Sequence, residues 1–274
     1  VSLVPFDEFS DIYVINTCSV TENADTKCDK LVKKLRRKNP DAYIIVTGCY
    51  AQLRSDRLSD NEDIDLVVGT DDKINIPNII MSNLNRKIVT SSVNSINSFK
   101  LSYSSSDRVR SFIKVQDGCN YNCSFCTIPM ARGKSRSARI SEIVKLSRSL
   151  EKKGFKEIVL SGINLGDFGN GGDETCYQLL KAIEESTTIP RIRISSIEPN
   201  LLTDNIIDLL YNSSRFMPHL HIPLQSGSDR ILRLMKRRYN KKFYYDKIQL
   251  IKSKIPHISI GVDVIVGFPT ETDK

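Results

Sequence analysis

The 274-residue sequence predicts an α/β protein that consists of an N-terminal doubly wound parallel sheet followed by a partial TIM-like barrel. Apolar runs of strand length alternate with helical segments in both halves, which is the pattern of consecutive βαβ units. In the first half, three such runs and a basic helix at 24–40 predict the sheet. In the second half, five runs alternate with helices such as 141–154 and 203–213. Repeated βα units of this kind predict a parallel barrel, complete or partial.

Each predicted strand is an apolar run bounded by turn residues. The runs of the first half are DIYVINT (11–17), AYIIVTG (42–48) and IDLVVGT (64–70). Those of the second half are FIKVQ (112–116), EIVLSG (157–162), RIRISS (191–196), HLHIPL (219–224) and ISIGVDVIVGF (258–268). Because ligands of such folds bind at the C-terminal ends of the strands, we expect the functional residues there.

A Ser- and Asn-rich stretch without apolar periodicity, residues 91–108, separates the two halves and is interpreted as a linker. The predicted organisation is therefore an N-terminal domain at 1–98, a linker at 99–109 and a second domain at 110–274. The sequence starts with Val rather than Met and stops just after a strand-like run, which predicts a chain truncated at both ends.

The charge of the chain is unevenly distributed. Residues 1–98 carry 12 Lys and Arg against 14 Asp and Glu, whereas residues 99–274 carry 28 against 18. The basic second half favours a polyanionic partner, with solvated basic faces as the alternative. No apolar run approaches the roughly 18 residues that span a bilayer, and no export signal is visible, so the sequence predicts a cytoplasmic protein without a membrane partner. Its seven cysteines are then expected to be reduced or metal-bound.

Three of these cysteines lie in the short segment GCNYNCSFC, residues 118–126. Cys119, Cys123 and Cys126 follow a predicted barrel strand with the spacing CxxxCxxC. Zinc is the weaker interpretation, because its sites usually take four protein ligands and no second cysteine pair lies nearby. Three soft thiolates suit a four-iron cluster, in which one iron is left open for another ligand. Packing as small buried side chains is the remaining alternative.

The segment VQDGCNYNCSFCTIPMARGKSRS resembles the radical S-adenosylmethionine (radical SAM) segment of the methylthiotransferases. VINTCSVTENAD and VTGCYAQ resemble the N-terminal domain of that family, while HIPLQSGSDRILRLMKRRY and DVIVGFPTET resemble its later barrel motifs. The family attaches methylthio groups to tRNA adenosines or to a ribosomal protein. The resemblance implies two 4Fe-4S clusters and S-adenosyl-L-methionine as cofactors, with Cys119, Cys123 and Cys126 as ligands of the radical SAM cluster.

The resemblance also implies an auxiliary cluster in the N-terminal domain, held by three cysteines and involved in sulfur delivery. Cys18 and Cys49 match two of these ligands, and the third would precede Val1. Both follow strand-like runs, so neighbouring strand ends are expected to bring them together. Cys28, inside the predicted helix, and Cys176 are interpreted as packing residues, because free cysteines are commonly buried.

Polar residues after the barrel strands are the candidates for binding SAM, whose amino, carboxylate and hydroxyl groups need hydrogen-bond partners. The superfamily often has a glycine-rich methionine-binding turn after the second strand. The candidates after the second, third and fourth strands are Ser161, Gly162, Asn164, Ser196, Glu198, Gln225 and Ser226. Ordinary turn chemistry is the alternative for each of them.

Two further groups of residues carry polar chemistry. His219 and His221 share one face of a strand, and without a third ligand a structural role is favoured over metal binding. The basic run KRRYNKK at 236–242 predicts RNA contacts by Lys236, Arg237 and Arg238, with Tyr239 available for stacking on a base. A solvated helix end is the alternative.

The resemblance is closest to the branch that acts on tRNA threonylcarbamoyl-adenosine. It implies a monomeric tRNA methylthiotransferase that modifies C2 of N6-threonylcarbamoyl-adenosine beside the anticodon and receives electrons from a flavodoxin or ferredoxin. The isopentenyl-adenosine and ribosomal-protein branches are alternatives within the family. A non-catalytic RNA-binding protein with a structural metal, and a radical enzyme without sulfur insertion, are alternatives of other classes.

Overall fold

The computed structural model describes residues 2–18, 22–82, 87–96, 98–104 and 109–272. Contacts divide the chain into two units, which are described separately. Unit 1 consists of residues 1–97 and 126–133, and unit 2 consists of residues 98–125 and 134–274. The short segment 126–133 thus clusters with the N-terminal part of the chain, although the sequence prediction includes it in the second domain.

Unit 1 is built around a parallel sheet with the strand order β1-β2-β3-β4. Its elements are β1 (Ile12–Thr17), α1 (Glu22–Lys38), β2 (Tyr43–Gly48), α2 (Cys49–Leu53), α3 (Ser55–Ser59), β3 (Leu66–Val68), α4 (Ile76–Met81), β4 (Ile88–Val89) and α5 (Ile128–Arg132). The parallel α/β class predicted for this half is confirmed. The strand β4 was not predicted, because two residues are too few to show a periodic pattern.

The core of unit 1 explains why its central strand is apolar throughout. Side chains of β2 point alternately to the two faces of the sheet, and Ile44, Ile45 and Val46 are all fully buried. On one face, α1 packs through apolar residues at helical spacing, including Val32 and the predicted packing residue Cys28. On the other face, Ile45 packs in a cluster with residues of α4. Both faces of the sheet are therefore covered.

Unit 2 contains the predicted series of barrel strands. Its elements are β5 (Ser102–Tyr103), β6 (Arg110–Lys114), β7 (Gln116–Asp117), β8 (Arg136–Ser137), α6 (Ile140–Lys152), β9 (Glu157–Ser161), α7 (Cys176–Ser186), β10 (Arg191–Ile194), α8 (Asp204–Asn212), β11 (His219–His221), α9 (Asp229–Leu234), α10 (Lys241–Lys254) and β12 (Ser259–Gly261). The strand β9 pairs in parallel with β6 and β10, and β11 pairs in parallel with β12. A parallel bridge between Ile192 and Phe216 links β10 to the segment before β11. The five parallel strands therefore follow one another in chain order, as a partial barrel requires.

A single apolar cluster fills unit 2, formed by the inner faces of these strands and the helices around them. Cys176 belongs to this cluster and is 4% exposed, as expected for a packing residue. Two residues of the predicted linker, Phe99 and Leu101, pack against the same cluster, and β5 pairs antiparallel with β6. Linker residues 105–108 and residue 97 lie outside the described residues. None of the helices that the structure describes has the length and apolar character needed to cross a bilayer.

Candidate metal centre

The CxxxCxxC segment lies on an excursion between two short paired strands. After β6, the residues of β7 pair antiparallel with β8, Gln116 opposite Ser137 and Asp117 opposite Arg136. The chain between them, residues 118–135, leaves and returns at this pairing. Gly118 begins the excursion in a left-handed conformation with a φ of 70°, which a glycine adopts without strain. The predicted position of the cysteines, directly after a barrel strand, is the position that the structure shows.

Gln116 fixes the start of this excursion and was not identified from the sequence. Its side chain is almost fully buried, and the residue is 1% exposed. The amide Nε2 donates to the carbonyl oxygens of Asp117 and Gly118, at 3.2 and 2.8 Å, and to Ser135 Oγ at 3.0 Å. The amide Oε1 accepts from the backbone N–H groups of Ile163 and Asn164, at 2.8 and 3.1 Å. One side chain therefore joins the cysteine excursion to the turn that follows β9.

Two sulfur atoms of the excursion accept hydrogen bonds from N–H donors. The backbone N–H of Tyr121 donates to Cys119 Sγ at 3.4 Å. Arg237 Nη1 donates to Cys123 Sγ at 3.2 Å, and Cys123 is 8% exposed. Cys119 and Cys126 are partly exposed. Cys126 lies three residues beyond Cys123 in the chain and begins the segment that clusters with unit 1.

The donor chemistry of this segment fits an iron–sulfur cluster. All seven cysteines are free thiols, three of them fall within eight positions, and two of those three accept hydrogen bonds that would stabilise a thiolate. Across the described ranges, no three His, Cys, Asp or Glu side chains are already arranged around one point as ligands of an ion. The fit therefore rests on the type, spacing and surroundings of the thiols.

The candidate SAM-binding residues lie at the C-terminal ends of neighbouring strands of unit 2. Ser161 ends β9, and the N–H of the next residue, Gly162, donates to Ser195 Oγ at 3.1 Å. Asn164 Oδ1 accepts from the N–H of Glu198 at 3.3 Å, which joins the turns after β9 and β10. The hydroxyl of Ser196 and His221 Nδ1 share a hydrogen bond. The structure thus brings together the candidates after the second and third barrel strands.

The candidates after the fourth strand are held by the last part of the barrel. Gln225 has a left-handed backbone with a φ of 65° and forms a parallel bridge with Val264. Its N–H donates to the carbonyl of Asp263 at 2.8 Å. Ser226 is 3% exposed, and its Oγ accepts from the N–H of Ser228 at 3.2 Å. Both residues are therefore ordered by local hydrogen bonds at a strand end.

Three buried polar atoms in these turns find no hydrogen-bond partner among the residues described. They are Asn164 Nδ2, Asp167 Oδ2 and Asn200 Oδ1. The other atom of the Asn200 amide, Nδ2, donates to the hydroxyl of Tyr121 in the cysteine excursion at 3.0 Å. Unpaired buried polar groups are costly, so a polar ligand bound beside the excursion would satisfy groups that the protein leaves open. Such a ligand fits the predicted SAM site.

The basic run after α9 is only partly on the surface. The Arg237 side chain is 4% exposed, and its Nη2 forms an ion pair with Glu198. Tyr239 is 8% exposed, and its hydroxyl donates to the carbonyl of Pro223 at 2.7 Å. Lys236 and Arg238 are exposed. The structure therefore places Arg237 and Tyr239 differently from the prediction of RNA contacts, because their polar groups are used inside unit 2.

Electrostatics in this region follow from burial. Burial raises the pKa of the Glu198 carboxyl, and the Arg237 guanidinium acts in the opposite direction. Burial likewise raises the pKa of the Tyr239 hydroxyl to about 12, against the influence of Arg237. Arg238 stacks over the ring of Tyr121, 3.7 Å from its centroid. Charged and aromatic side chains thus lie beside the cysteine excursion, with Arg237 in contact with Cys123.

In unit 1, Cys18 and Cys49 follow adjacent parallel strands. Thr17 at the end of β1 is in register with Gly48 at the end of β2. Cys18 and Cys49 directly follow these two residues. Cys18 is exposed and Cys49 is buried. Arg132 Nε, from α5, donates to Cys49 Sγ at 3.3 Å. The contact of Arg132 with Cys49 was not predictable from the sequence, because 83 residues separate them.

His221 has two structural partners among the neighbouring side chains. His221 lies 3.3 Å from Asp263 through Nε2, in addition to its hydrogen bond with Ser196. Burial, followed by the nearby Arg193 guanidinium, lowers the pKa of His219. The His221 imidazole is thus held by neighbouring side chains at the end of β11, and the structural role of the two histidines stays a prediction.

Comparisons with known proteins agree with this architecture. Residues 113–274 match the radical SAM superfamily, and residues 1–69 match a family described as uncharacterized protein family UPF0004. The threonylcarbamoyladenosine tRNA methylthiotransferases MtaB of Bacillus subtilis and Aquifex aeolicus are 39% and 38% identical to the chain. The matches cover 98% and 99% of this chain and 61% and 68% of those relatives. A tRNA-2-methylthio-N(6)-dimethylallyladenosine synthase of Thermodesulfovibrio yellowstonii is 35% identical over 96% of the chain and 62% of the relative.

The fold and the cysteine motif define a radical SAM protein. Within that superfamily, the chain belongs to the methylthiotransferase family. Among solved structures, the radical SAM methyltransferase TsrM from Kitasatospora setae aligns with a TM-score of 0.71 at 16% identity, over 97% of this chain and 58% of that protein. At this identity the likeness shows the fold alone. The chain spans about three fifths of the length of the B. subtilis relative.

Proposed function

We propose that the protein is a radical SAM tRNA methylthiotransferase that adds a methylthio group to C2 of N6-threonylcarbamoyl-adenosine beside the anticodon. The observation that supports this proposal is that cysteines which match the motifs of the family follow strand ends in both units. Cys119 and Cys123 lie on the excursion after the first barrel strand, with Cys126 next along the motif. Cys18 and Cys49 follow adjacent strand ends of the other unit.

The three cysteines of the excursion would hold a 4Fe-4S cluster, and Cys18 and Cys49 would supply two ligands of an auxiliary cluster. When bound, the cluster and S-adenosyl-L-methionine supply one-electron chemistry that can activate an unreactive C–H bond. The protein's own residues provide position and shielding. Gln116 holds the excursion against the turn after β9, and burial of Cys123 keeps water from one thiolate.

The remaining site residues would position S-adenosyl-L-methionine. We assign its polar groups to the edge formed by Ser161, Gly162, Asn164, Ser196, Glu198, Gln225 and Ser226, where Asn164 Nδ2 and two neighbouring polar atoms are left open in the described part of the chain. Such open donors and acceptors suit the amino, carboxylate and hydroxyl groups of this cofactor. Glu198 can accept a ribose hydroxyl only through lone pairs that its ion pair with Arg237 leaves free.

The choice of tRNA as substrate is supported by charge and by the relatives. The basic second half, with 28 Lys and Arg against 18 Asp and Glu, suits a polyphosphate partner, whose binding weakens as salt rises. The exposed Lys236 and Arg238 are the proposed phosphate contacts in the basic run. The relatives named for threonylcarbamoyladenosine are 38–40% identical, and those named for dimethylallyladenosine are 32–35% identical. We further propose a monomeric, cytoplasmic enzyme that receives electrons from a flavodoxin or ferredoxin.

The test is mass spectrometry of tRNA nucleosides from cells with and without the intact gene. Loss of 2-methylthio-threonylcarbamoyl-adenosine on deletion, with recovery on complementation, is the expected result. Loss of only 2-methylthio-isopentenyl-adenosine would reject the proposed substrate and support the alternative branch. Unchanged levels of both nucleosides would reject tRNA methylthiolation altogether.

A further inference from the structure

The buried Arg237 forms polar contacts with every nitrogen of its head group beside the cysteine excursion. All three nitrogens of its guanidinium have partners within unit 2. Nη1 donates to Cys123 Sγ at 3.2 Å, Nε donates to the hydroxyl of Tyr239 at 3.2 Å, and Nη2 pairs with Glu198. A surface arginine of a basic run would instead keep its head group in water.

The backbone delivers Arg237 to this position by a sharp turn at the end of α9. Lys236 is left-handed, with a φ of 58°, and the N–H of Arg237 donates back to the carbonyl of Leu232 at 2.9 Å. The same helix end is attached to the cysteine excursion, because the N–H and hydroxyl of Ser124 donate to the carbonyls of Met235 and Leu234 at 3.3 and 2.9 Å. Excursion and arginine are therefore held in one local structure.

Two groups act electrostatically on the Cys123 sulfur: the Arg237 guanidinium, which donates to it, and the Glu198 carboxylate, which pairs with Arg237. Cys123 is 8% exposed, so water can solvate little of the charge on its sulfur, and the guanidinium supplies the strong charged donor that water would otherwise provide. Glu198, with a side chain 12% exposed, balances the positive charge of Arg237. The Cys123 sulfur thus accepts a hydrogen bond from an arginine whose charge is already balanced by a carboxylate.

We infer that Arg237 is a positioning residue that tunes the reduction potential of the cluster held by the cysteine excursion, through its hydrogen bond to Cys123, while Glu198 limits the effect by balancing its charge. The inference rests on the proposed iron–sulfur role of that excursion. Hydrogen bonds to cluster sulfurs and nearby charge set the potential of such clusters. Because one-electron reduction adds negative charge, the Arg237 donor stabilises the reduced state and raises the potential, whereas the Glu198 carboxylate lowers it.

These opposite signs give a test that a merely structural role would not satisfy. The complete gene product, in a Cys18→Ala and Cys49→Ala background so that one cluster titrates, is reconstituted anaerobically without SAM or tRNA. Dithionite supplies one electron per cluster, and electron paramagnetic resonance follows the reduced form against the applied potential. Iron and sulfide content are measured in every sample.

We expect Arg237→Gln to shift the midpoint to a more negative potential and Glu198→Gln to shift it to a more positive one. Arg237→Lys, which retains the charge but loses the planar set of donors, should fall between Arg237→Gln and the parent. Arg148→Gln is the matched control, because this exposed arginine of α6 donates to the Ser186 carbonyl at the end of α7; its midpoint should equal that of the parent.

An Arg237→Gln protein with full iron content and an unchanged midpoint would overturn the inference. Shifts of the same sign in Arg237→Gln and Glu198→Gln would also overturn it. If Arg237→Gln assembles no cluster, the shifts of Arg237→Lys and Glu198→Gln decide the question by the same criteria. Failure of the proposed function would be seen separately, as a parent protein that binds a cluster and titrates normally but forms no methylthio nucleoside.

Discussion

Replacement of Gln116 by alanine should loosen the cysteine excursion from the turn after β9. The side chain is buried and makes hydrogen bonds to both segments. Its removal leaves the N–H groups of Ile163 and Asn164 and the carbonyl of Gly118 without this partner. Each buried polar group left unpaired costs about 1–3 kcal/mol. Because Ile163 is only partly buried, we expect a total toward the lower end of this range, about 3–4 kcal/mol.

Amide hydrogen exchange measures this loss locally. Every 1.4 kcal/mol corresponds to about a tenfold change in an equilibrium constant, so about 3 kcal/mol predicts roughly 100-fold faster exchange at the amides of Ile163 and Asn164. Iron content after reconstitution should fall together with the protection. Gln249→Ala, at an exposed position of α10, is the control and should change stability by no more than about 0.5 kcal/mol. Unchanged protection at both amides in Gln116→Ala would refute the bridging role.

Three further predictions concern the cysteines and the turn before one of them. Alanine at Cys119, Cys123 or Cys126 should abolish reductive cleavage of SAM by the complete enzyme, and release of deoxyadenosine at the parental rate would contradict the ligand assignment. Alanine at Cys18 or Cys49 should preserve that cleavage but stop methylthiolation of tRNA, and a methylthio product from either variant would remove them from the auxiliary site. Gly48→Ala should lower the melting temperature, because the added Cβ would lie 2.3 Å from the Thr17 carbonyl oxygen at a φ of +103°. We expect the free energy of unfolding to fall by about 1–3 kcal/mol. A melting temperature equal to that of the parent would show that the turn relaxes freely.

Much of the fold was predictable because long apolar strands and amphipathic helices carry periodic signals. The strands β4 and β5 were missed, since each has two residues and pairing with a neighbour defines it. The association of residues 126–133 with unit 1 was equally hidden. It depends on individual contacts such as the hydrogen bond from Thr70 Oγ1 to the Ala131 carbonyl, at 2.9 Å between residues 61 positions apart.

The residues of the candidate site that belong to a local motif were predictable from the sequence. Those that depend on burial by distant segments were not. The cysteine spacing and the polar strand ends are visible as local patterns. Gln116 is a single polar residue at the end of an apolar run, and only the turn after β9, 47 residues later, gives it a role. The run KRRYNKK has the composition of a surface. Arg237 is nevertheless buried, because it contacts Glu198 and Cys123. These two partners lie 39 and 114 positions away in the chain.

The surroundings of the cysteines distinguish two classes of thiol. Cys28 and Cys176 are buried, and burial, joined for Cys28 by Asp29 and Asp25, raises the pKa of each thiol to about 12. At neutral pH such thiols stay protonated, because ionisation would begin only as the pH approaches that raised value. The buried thiols of Cys49 and Cys123 instead each accept a hydrogen bond from an arginine, Arg132 and Arg237. A charged N–H donor stabilises the sulfur of a cysteine that binds a metal, so the arginine partner distinguishes Cys49 and Cys123 from the two packing cysteines in a way that the spacing of the motif does not contain.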